Sequence, residues 1–191
     1  MALTTLSKLA LPVLLLAGAA SSCALVDQEF QRSEGEPLVG KGGRVIGLSG
    51  SYSYRETDIE ESEWFAARAT IDQFLTDEHA VGAYALGQFS NVESDPDGTE
   101  ELWLGVHYHY QFHLSERTSL YAGPSLGVAF FDDETRNDGS LTYGLSGGVR
   151  HWLTERAAFT LEPTYLRANF DADAGNDSED FLVLWGLAFS L

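Results

Sequence analysis

Lysine is nearly missing from this chain: Lys8 and Lys41 are the only two among 11 basic residues, set against 29 Asp plus Glu, for a formal net charge of −18. A chain this acidic is repelled by phosphate backbones, which excludes nucleic acid as a partner. Cysteine is also scarce. Cys23 stands alone, so no disulfide can close within one chain, and the fold must rest on burial and hydrogen bonding. Long apolar runs are absent too. Leu9 to Ala20 is the best candidate, and it is shorter than the roughly 20 residues a membrane-spanning helix needs. No phosphate-binding loop occurs, and no enzyme is expected; Gly-x-Ser-x-Gly does occur, at Gly123–Gly127 and Gly144–Gly148, but inside alternating runs rather than at a strand-to-helix elbow.

The first residues, 1–22, read as a secretory signal peptide: Lys8 supplies a basic start, and a short apolar stretch follows it. Ala20-Ser21-Ser22-Cys23 resembles a lipobox, after which Cys23 would be lipidated; cleavage by an ordinary signal peptidase after Ala19 or Ser22 is the alternative. Residues 23–43 contain Glu34-Gly35-Glu36-Pro37 and Gly40-Lys41-Gly42-Gly43 with no sustained period. They are expected to form a flexible periplasmic linker, leaving 44–191 as one domain.

What the domain does have is a repeat. Leu75, Leu114 and Leu153 lie 39 residues apart, and each opens a Leu-Thr/Ser-acid phrase: Leu75-Thr76-Asp77, Leu114-Ser115-Glu116 and Leu153-Thr154-Glu155. Each phrase joins two alternating runs, while acidic Gly/Asn/Ser-containing stretches lie midway between phrases. That is the pattern of an up-and-down antiparallel barrel. Eight strands are predicted near 44–55, 62–74, 79–91, 101–113, 117–131, 140–152, 156–170 and 180–191, each close to the ~9–11 residues that cross a bilayer tilted. Short turns alternate with longer acidic loops, as in outer-membrane barrels.

Alternation assigns the faces. In the fourth strand Leu102, Leu104, Val106, Tyr108, Tyr110 and Phe112 share one side; Trp103, Gly105, His107, His109, Gln111 and His113 share the other. The third strand is less decided, since Tyr84 and Leu86 oppose Val81 and Phe89. The polar faces carry mostly Gly, Ser, Thr and Ala and no lysine, which suits a crowded interior better than a water-facing sheet. Two groups of aromatics are expected to mark the membrane interfaces: Tyr52, Tyr54, Phe65, Phe89, Phe130, Phe170 and Phe181 toward the loops, and Phe74, Tyr110, Phe112, Trp152, Phe159 and Phe189 toward the turns. Pro124 and Pro163 fall inside strands and predict a bulge, bend or open pairing at each.

Three stretches carry a family resemblance: Phe74 to Gly82, Leu120-Tyr121-Ala122-Gly123-Pro124-Ser125-Leu126-Gly127-Val128, and Gly147 to Thr154. These are similar to hairpin phrases of the small outer-membrane β-barrel superfamily, the OmpA/OmpX-like and opacity-type, porin-like surface proteins. The end of the chain, Trp185 to Leu191, resembles the C-terminal signal by which such barrels are inserted, with Gly186, Phe189 and Leu191 at its defining positions. The resemblance implies an all-β, eight-stranded transmembrane barrel in the outer membrane, a monomer, in contact with membrane lipid and lipopolysaccharide and inserted by the barrel-assembly machinery. It specifies no activity, because such barrels serve many roles. Outer-membrane lipid A deacylases resemble this chain in size but use a His-x-Ser arrangement, and His151 is followed here by Trp152-Leu153.

Arg68, Asp72, His107, His109, Arg150 and Glu162 fall on the predicted lumen face. Buried charges are costly unless paired, so these are expected to bridge strands inside the barrel. His107, His109 and His113 could place imidazoles on one metal if another strand supplied a further ligand; a polar network is the simpler expectation. Of the 29 acids, 19 lie in or beside the four long loops. Asp171, Asp173 and Asp177 have the oxygen spacing of a calcium loop, without the closing Glu, and predict at most weak Ca²⁺ binding; no other cofactor is expected. The function anticipated is a non-enzymatic surface or envelope-integrity barrel with a filled lumen. A small porin is the first alternative, and a periplasmic lipocalin-like lipoprotein the second.

Overall fold

The structure, a computed structural model, describes residues 38–56, 61–92, 95–132, 140–169 and 178–191. The signal peptide, Cys23, most of the linker, and Asp171, Asp173 and Asp177 fall outside them. Eight strands follow one another in chain order: β1 (Arg44–Glu56), β2 (Glu61–Phe74), β3 (His79–Val92), β4 (Asp95–His113), β5 (Thr118–Asp132), β6 (Ser140–Trp152), β7 (Ala157–Asn169) and β8 (Ser178–Ser190). Every neighbouring pair is antiparallel and β8 pairs with β1, closing the barrel. The strand bounds differ from those predicted by one or two residues, except that β4 starts six residues earlier, at Asp95.

The 39-residue repeat has a physical cause in the three turns. Thr76 Oγ1, Ser115 Oγ and Thr154 Oγ1 each accept hydrogen bonds from the two backbone N–H groups that reverse the chain, at 3.0–3.3 Å. The leucine before each hydroxyl donates its N–H across the turn, to the carbonyls of His79, Thr118 and Ala157. The next carbonyl is used as well: those of Glu78, Arg117 and Arg156 accept from Gln111, Trp152 and Ser190, one strand further round. Thus a short hydroxyl residue at that place substitutes for backbone partners, as it does in other tight turns.

Both prolines interrupt the ladder on one side. Between β4 and β5, pairing lapses from His107–Ser125 to Tyr110–Ala122, around Pro124. Between β6 and β7 it lapses from Ser146–Thr164 to Val149–Leu161, around Pro163. On their other sides Pro124 pairs with Leu145 and Pro163 with Val183 without a break. Proline has no N–H to donate, so the open pairing expected from sequence falls where its nitrogen faces.

The wall is apolar outside and polar inside. Val106, Phe112, Leu126, Leu141, Leu145, Phe181 and Trp185 are exposed, whereas Arg68, Asp72, His107, His109, Gln111, Arg150, Glu162 and Thr164 are buried in the lumen. This inverts a water-soluble barrel and is what a membrane-spanning one requires. A lipocalin-like barrel, with an apolar cavity and a wet exterior, is thereby excluded. Tyr84 and Leu86, ambiguous in sequence, face inward and are fully covered. Two girdle assignments are corrected: Phe74 and Trp152 share the parity of the lumen residues and point inward, where they are 2% and 4% exposed. Tyr52, Phe65, Phe130 and Phe181 remain outside at the loop end, and Tyr110, Phe112, Phe159 and Phe189 at the turn end.

Inward side chains stack in layers. At the turn end Val45, Phe74, Ala80, Trp152, Ala158 and Ala188 form an apolar floor. Leu38 and Val39 complete it from outside the strands, Val39 being 6% exposed. Residues 38–43, grouped with the linker on sequence, therefore belong to the packed domain. A turn at Gly42 (φ 85°), where only glycine sits without strain, returns the chain into β1, and the Lys41 N–H donates to Asp77 Oδ1 at 2.8 Å. Toward the loops, Leu86, Trp103, Leu166, Leu182 and Leu184 form an apolar roof. The charged residues lie between floor and roof.

Candidate functional site

The charged waist is built from strands that do not touch in sequence order. Asp72 lies on β2 and is fully enclosed. Its Oδ1 accepts from His107 Nε2 on β4 at 2.6 Å, and its Oδ2 from Arg150 Nη2 on β6 at 3.0 Å. Arg68, four residues earlier on β2, donates to Glu162 on β7. Glu162 also accepts from the Tyr121 hydroxyl at 2.8 Å and from Thr164 Oγ1 at 2.9 Å. Each cation lies over an aromatic ring: Arg68 is 4.9 Å from the Tyr84 centroid, and Arg150 is 5.2 Å from that of Tyr121. Two carboxylates and two guanidiniums are thus paired across the lumen. A buried charge demands such a partner.

Alternation along β4 carries two imidazoles into the same layer. The rings of His107 and His109 stack with centroids 4.3 Å apart, and His109 Nε2 bonds Ser146 Oγ on β6 at 2.9 Å. One donor atom from each of Asp72, His107 and His109 lies within 4.8 Å of the other two, a spacing a zinc-type ion could use. The electrostatics oppose it. Both Asp72 oxygens are already engaged, and the charges of Arg68 and Arg150 balance those of Asp72 and Glu162. A divalent ion would bring uncompensated charge into a buried layer. His113 takes no part, since its Nε2 bonds the Asp77 carbonyl at the turn, 2.8 Å away.

Six residues named from sequence meet here: Arg68, Asp72, His107, His109, Arg150 and Glu162. Sequence reasoning placed Gln111 on this face and missed Tyr84, Tyr121 and Thr164, which line the same space. Parity was the available signal, because Tyr121 is in phase with Ser119 and Ser125, and Thr164 with Glu162. A second polar layer closes the loop end: Gln88 Nε2 lies 3.5 Å from Glu101 Oε2 and 3.4 Å from Asp180 Oδ2, and Trp103 Nε1 donates to Glu101 at 3.0 Å. Between the floor and Arg150 a gap of about 10 Å³ touches Leu38, Gln111 and Trp152, far short of a conduit. Of the terminal signal, Phe189 and Leu191 lie outside on the wall, and Gly186 stands in the seam opposite Ser49.

No family model matches the chain, and no curated protein matches it by sequence. Its likeness to solved structures is in three dimensions. Neisserial surface protein A (NspA) is similar over 80% of this chain and 99% of its own, at 14% identity and a TM-score of 0.60. Outer membrane protein H (OprH) of P. aeruginosa matches over 78% and 99%, at 17% identity and 0.55. Outer membrane protein OprG of Pseudomonas aeruginosa matches over 81% and 99%, at 14% and 0.52. With its closed eight-stranded wall, apolar exterior and charged lumen, the chain has the fold of the small outer-membrane β-barrels.

Proposed function

We propose that the protein is a non-enzymatic, monomeric barrel of the outer membrane that serves at the surface or in envelope integrity, with its lumen filled by side chains. The observation that carries this reading is the layered interior. Among the described residues an apolar floor, a charge-paired waist and an apolar roof follow one another along the bore, which supports a filled lumen over a water column for solute passage. The similar proteins named above, two of them outer membrane proteins and one a surface protein, support the location and not a particular role. The acidic loops would stand at the cell surface, and the three Leu-Thr/Ser-acid turns with the linker in the periplasm. Lipopolysaccharide would surround the wall on the loop side, and the barrel-assembly machinery would insert it.

A protease-sensitive tag placed within 92–100 should be cut on intact cells, and the same tag between Thr76 and Asp77 should be protected. The folded protein should fractionate with the outer membrane and migrate faster on unheated detergent gels than after boiling. Equal cutting at both places would reverse or abolish the assigned orientation.

A further inference from the structure

The wall facing the membrane is not uniformly convex. A groove of about 1020 Å³ crosses its outer surface from the start of β1 to β5, at the upper end of the roughly 300–1,000 Å³ of ordinary ligand pockets. Register explains it. Ile71, Ala83 and Val106 are direct cross-strand neighbours on β2, β3 and β4, so a methyl group stands between two large side chains. The far rim is Pro124, where the pairing of β4 with β5 lapses. Tyr108 forms another edge, its hydroxyl held by His79 Nδ1 at 2.6 Å. The walls are otherwise apolar, but one end is cationic: Arg44 is exposed there, its Nε donating to Gln73 Oε1 at 2.8 Å.

We propose that this groove is a glycerophospholipid site, its acyl chains lying over Ala83 between Ile71 and Val106 and its phosphate at the Arg44 guanidinium. The inference rests on the membrane reading above and adds a specific occupant to it. Three observations select a phospholipid over other occupants. The surface belongs to the apolar band, so hydrocarbon covers it. Its charged end lies beside the short turns, since Arg44 pairs with Gln73 just before the turn at 75–78, which is the periplasmic side in the proposed orientation. In a chain with a net charge of −18, a guanidinium at that rim complements an anionic phosphate and holds it by charge-assisted hydrogen bonds. Lipid elsewhere on the wall would exchange freely; here a concavity and a charge act together, which is what turns general solvation into a site.

The test uses folded, delipidated protein in micelles, titrated separately with phosphatidylglycerol, phosphatidylethanolamine and lipopolysaccharide and read by native mass spectrometry. Heat-modifiable mobility is checked in parallel. The parent should retain one phospholipid per barrel. Ala83→Trp, which fills the groove from the lipid side, should abolish retention. Arg44→Gln, an exposed change that leaves the strands intact, should weaken phosphatidylglycerol binding about tenfold, the worth of one charge-assisted contact. Undiminished retention in a folded Arg44→Gln barrel would overturn the proposal even if Ala83→Trp failed to fold. So would preferential capture of lipopolysaccharide, or a parent dimer that Ala83→Trp dissolves, which would assign the groove to a second copy. A parent without the heat-modifiable shift would instead count against the membrane reading itself.

Discussion

Replacing Glu162 by leucine is expected to destabilise the folded barrel by about 3–5 kcal/mol, less to the extent that water reaches the site. Glu162 is the charged acceptor that β7 offers to the Arg68 guanidinium of β2, and it also takes the Tyr121 and Thr164 hydroxyls. Removing it leaves a guanidinium in a layer closed by leucines and Trp103 above and by Phe74 and Trp152 below. The cost comes from the cation left behind rather than from the bond lost. For that reason the double variant Arg68→Leu with Glu162→Leu should recover most of the stability, since two apolar groups of suitable volume need no partner. Urea unfolding in lipid vesicles, followed by tryptophan fluorescence, measures both. Coincident midpoints for parent and Glu162→Leu would show the waist to be solvated and would favour the porin alternative.

Gly186→Val should prevent closure of the barrel. Gly186 sits opposite Ser49 in the β1–β8 seam, and a Cβ there would run into the Leu48 carbonyl and lie 2.5 Å from Ser49 Cα. No flexible side chain can yield, because both obstacles are backbone. The seam is also the shortest in the barrel: β1 pairs with β8 only over Val45–Gly50, whereas it pairs with β2 along its full length. One displaced residue there breaks a large part of the closure. Because Gly186 is also one of the defining positions of the terminal insertion pattern, the variants are refolded into detergent without the assembly machinery, where a failure reports geometry alone. Loss of the fast-migrating unheated band in Gly186→Val, with partial retention in Gly186→Ala, is the expected result; a valine variant that folds like the parent would contradict it.

Most of the fold was legible because a barrel wall is a repeating, local problem. Alternation along each strand and the 39-residue spacing of Leu75, Leu114 and Leu153 determine strand number, turn position and facing almost independently of one another. The turn hydroxyls show why the spacing is so regular: each reverses the chain by bonding only its near neighbours. The lumen charges were legible for a related reason, since parity alone carries Arg68, Asp72, Arg150 and Glu162 inside. Their pairing was not. Which acid meets which base depends on how strands lie across the bore, and Asp72 reaches β4 and β6 while Arg68 reaches β7. The inward turn of Phe74 and Trp152 was available from parity but was masked by their aromatic character, which also suits a membrane interface. Burial of Val39 under the floor had no periodic signal, because a segment outside the strands packs by shape. The groove over Ala83 depends on the sizes of cross-strand neighbours, which become known only once register is.

The central claim is that the bore is filled, and electrical conductance across a planar bilayer tests it most directly. Refolded protein should insert, as shown by protected turns and a heat-modifiable band on the same preparation, without producing regular current steps. Reproducible steps of a single amplitude from inserted parent protein, changed in size by the Arg68→Leu, Glu162→Leu double substitution in the lumen, would contradict it and mark the protein as a small porin.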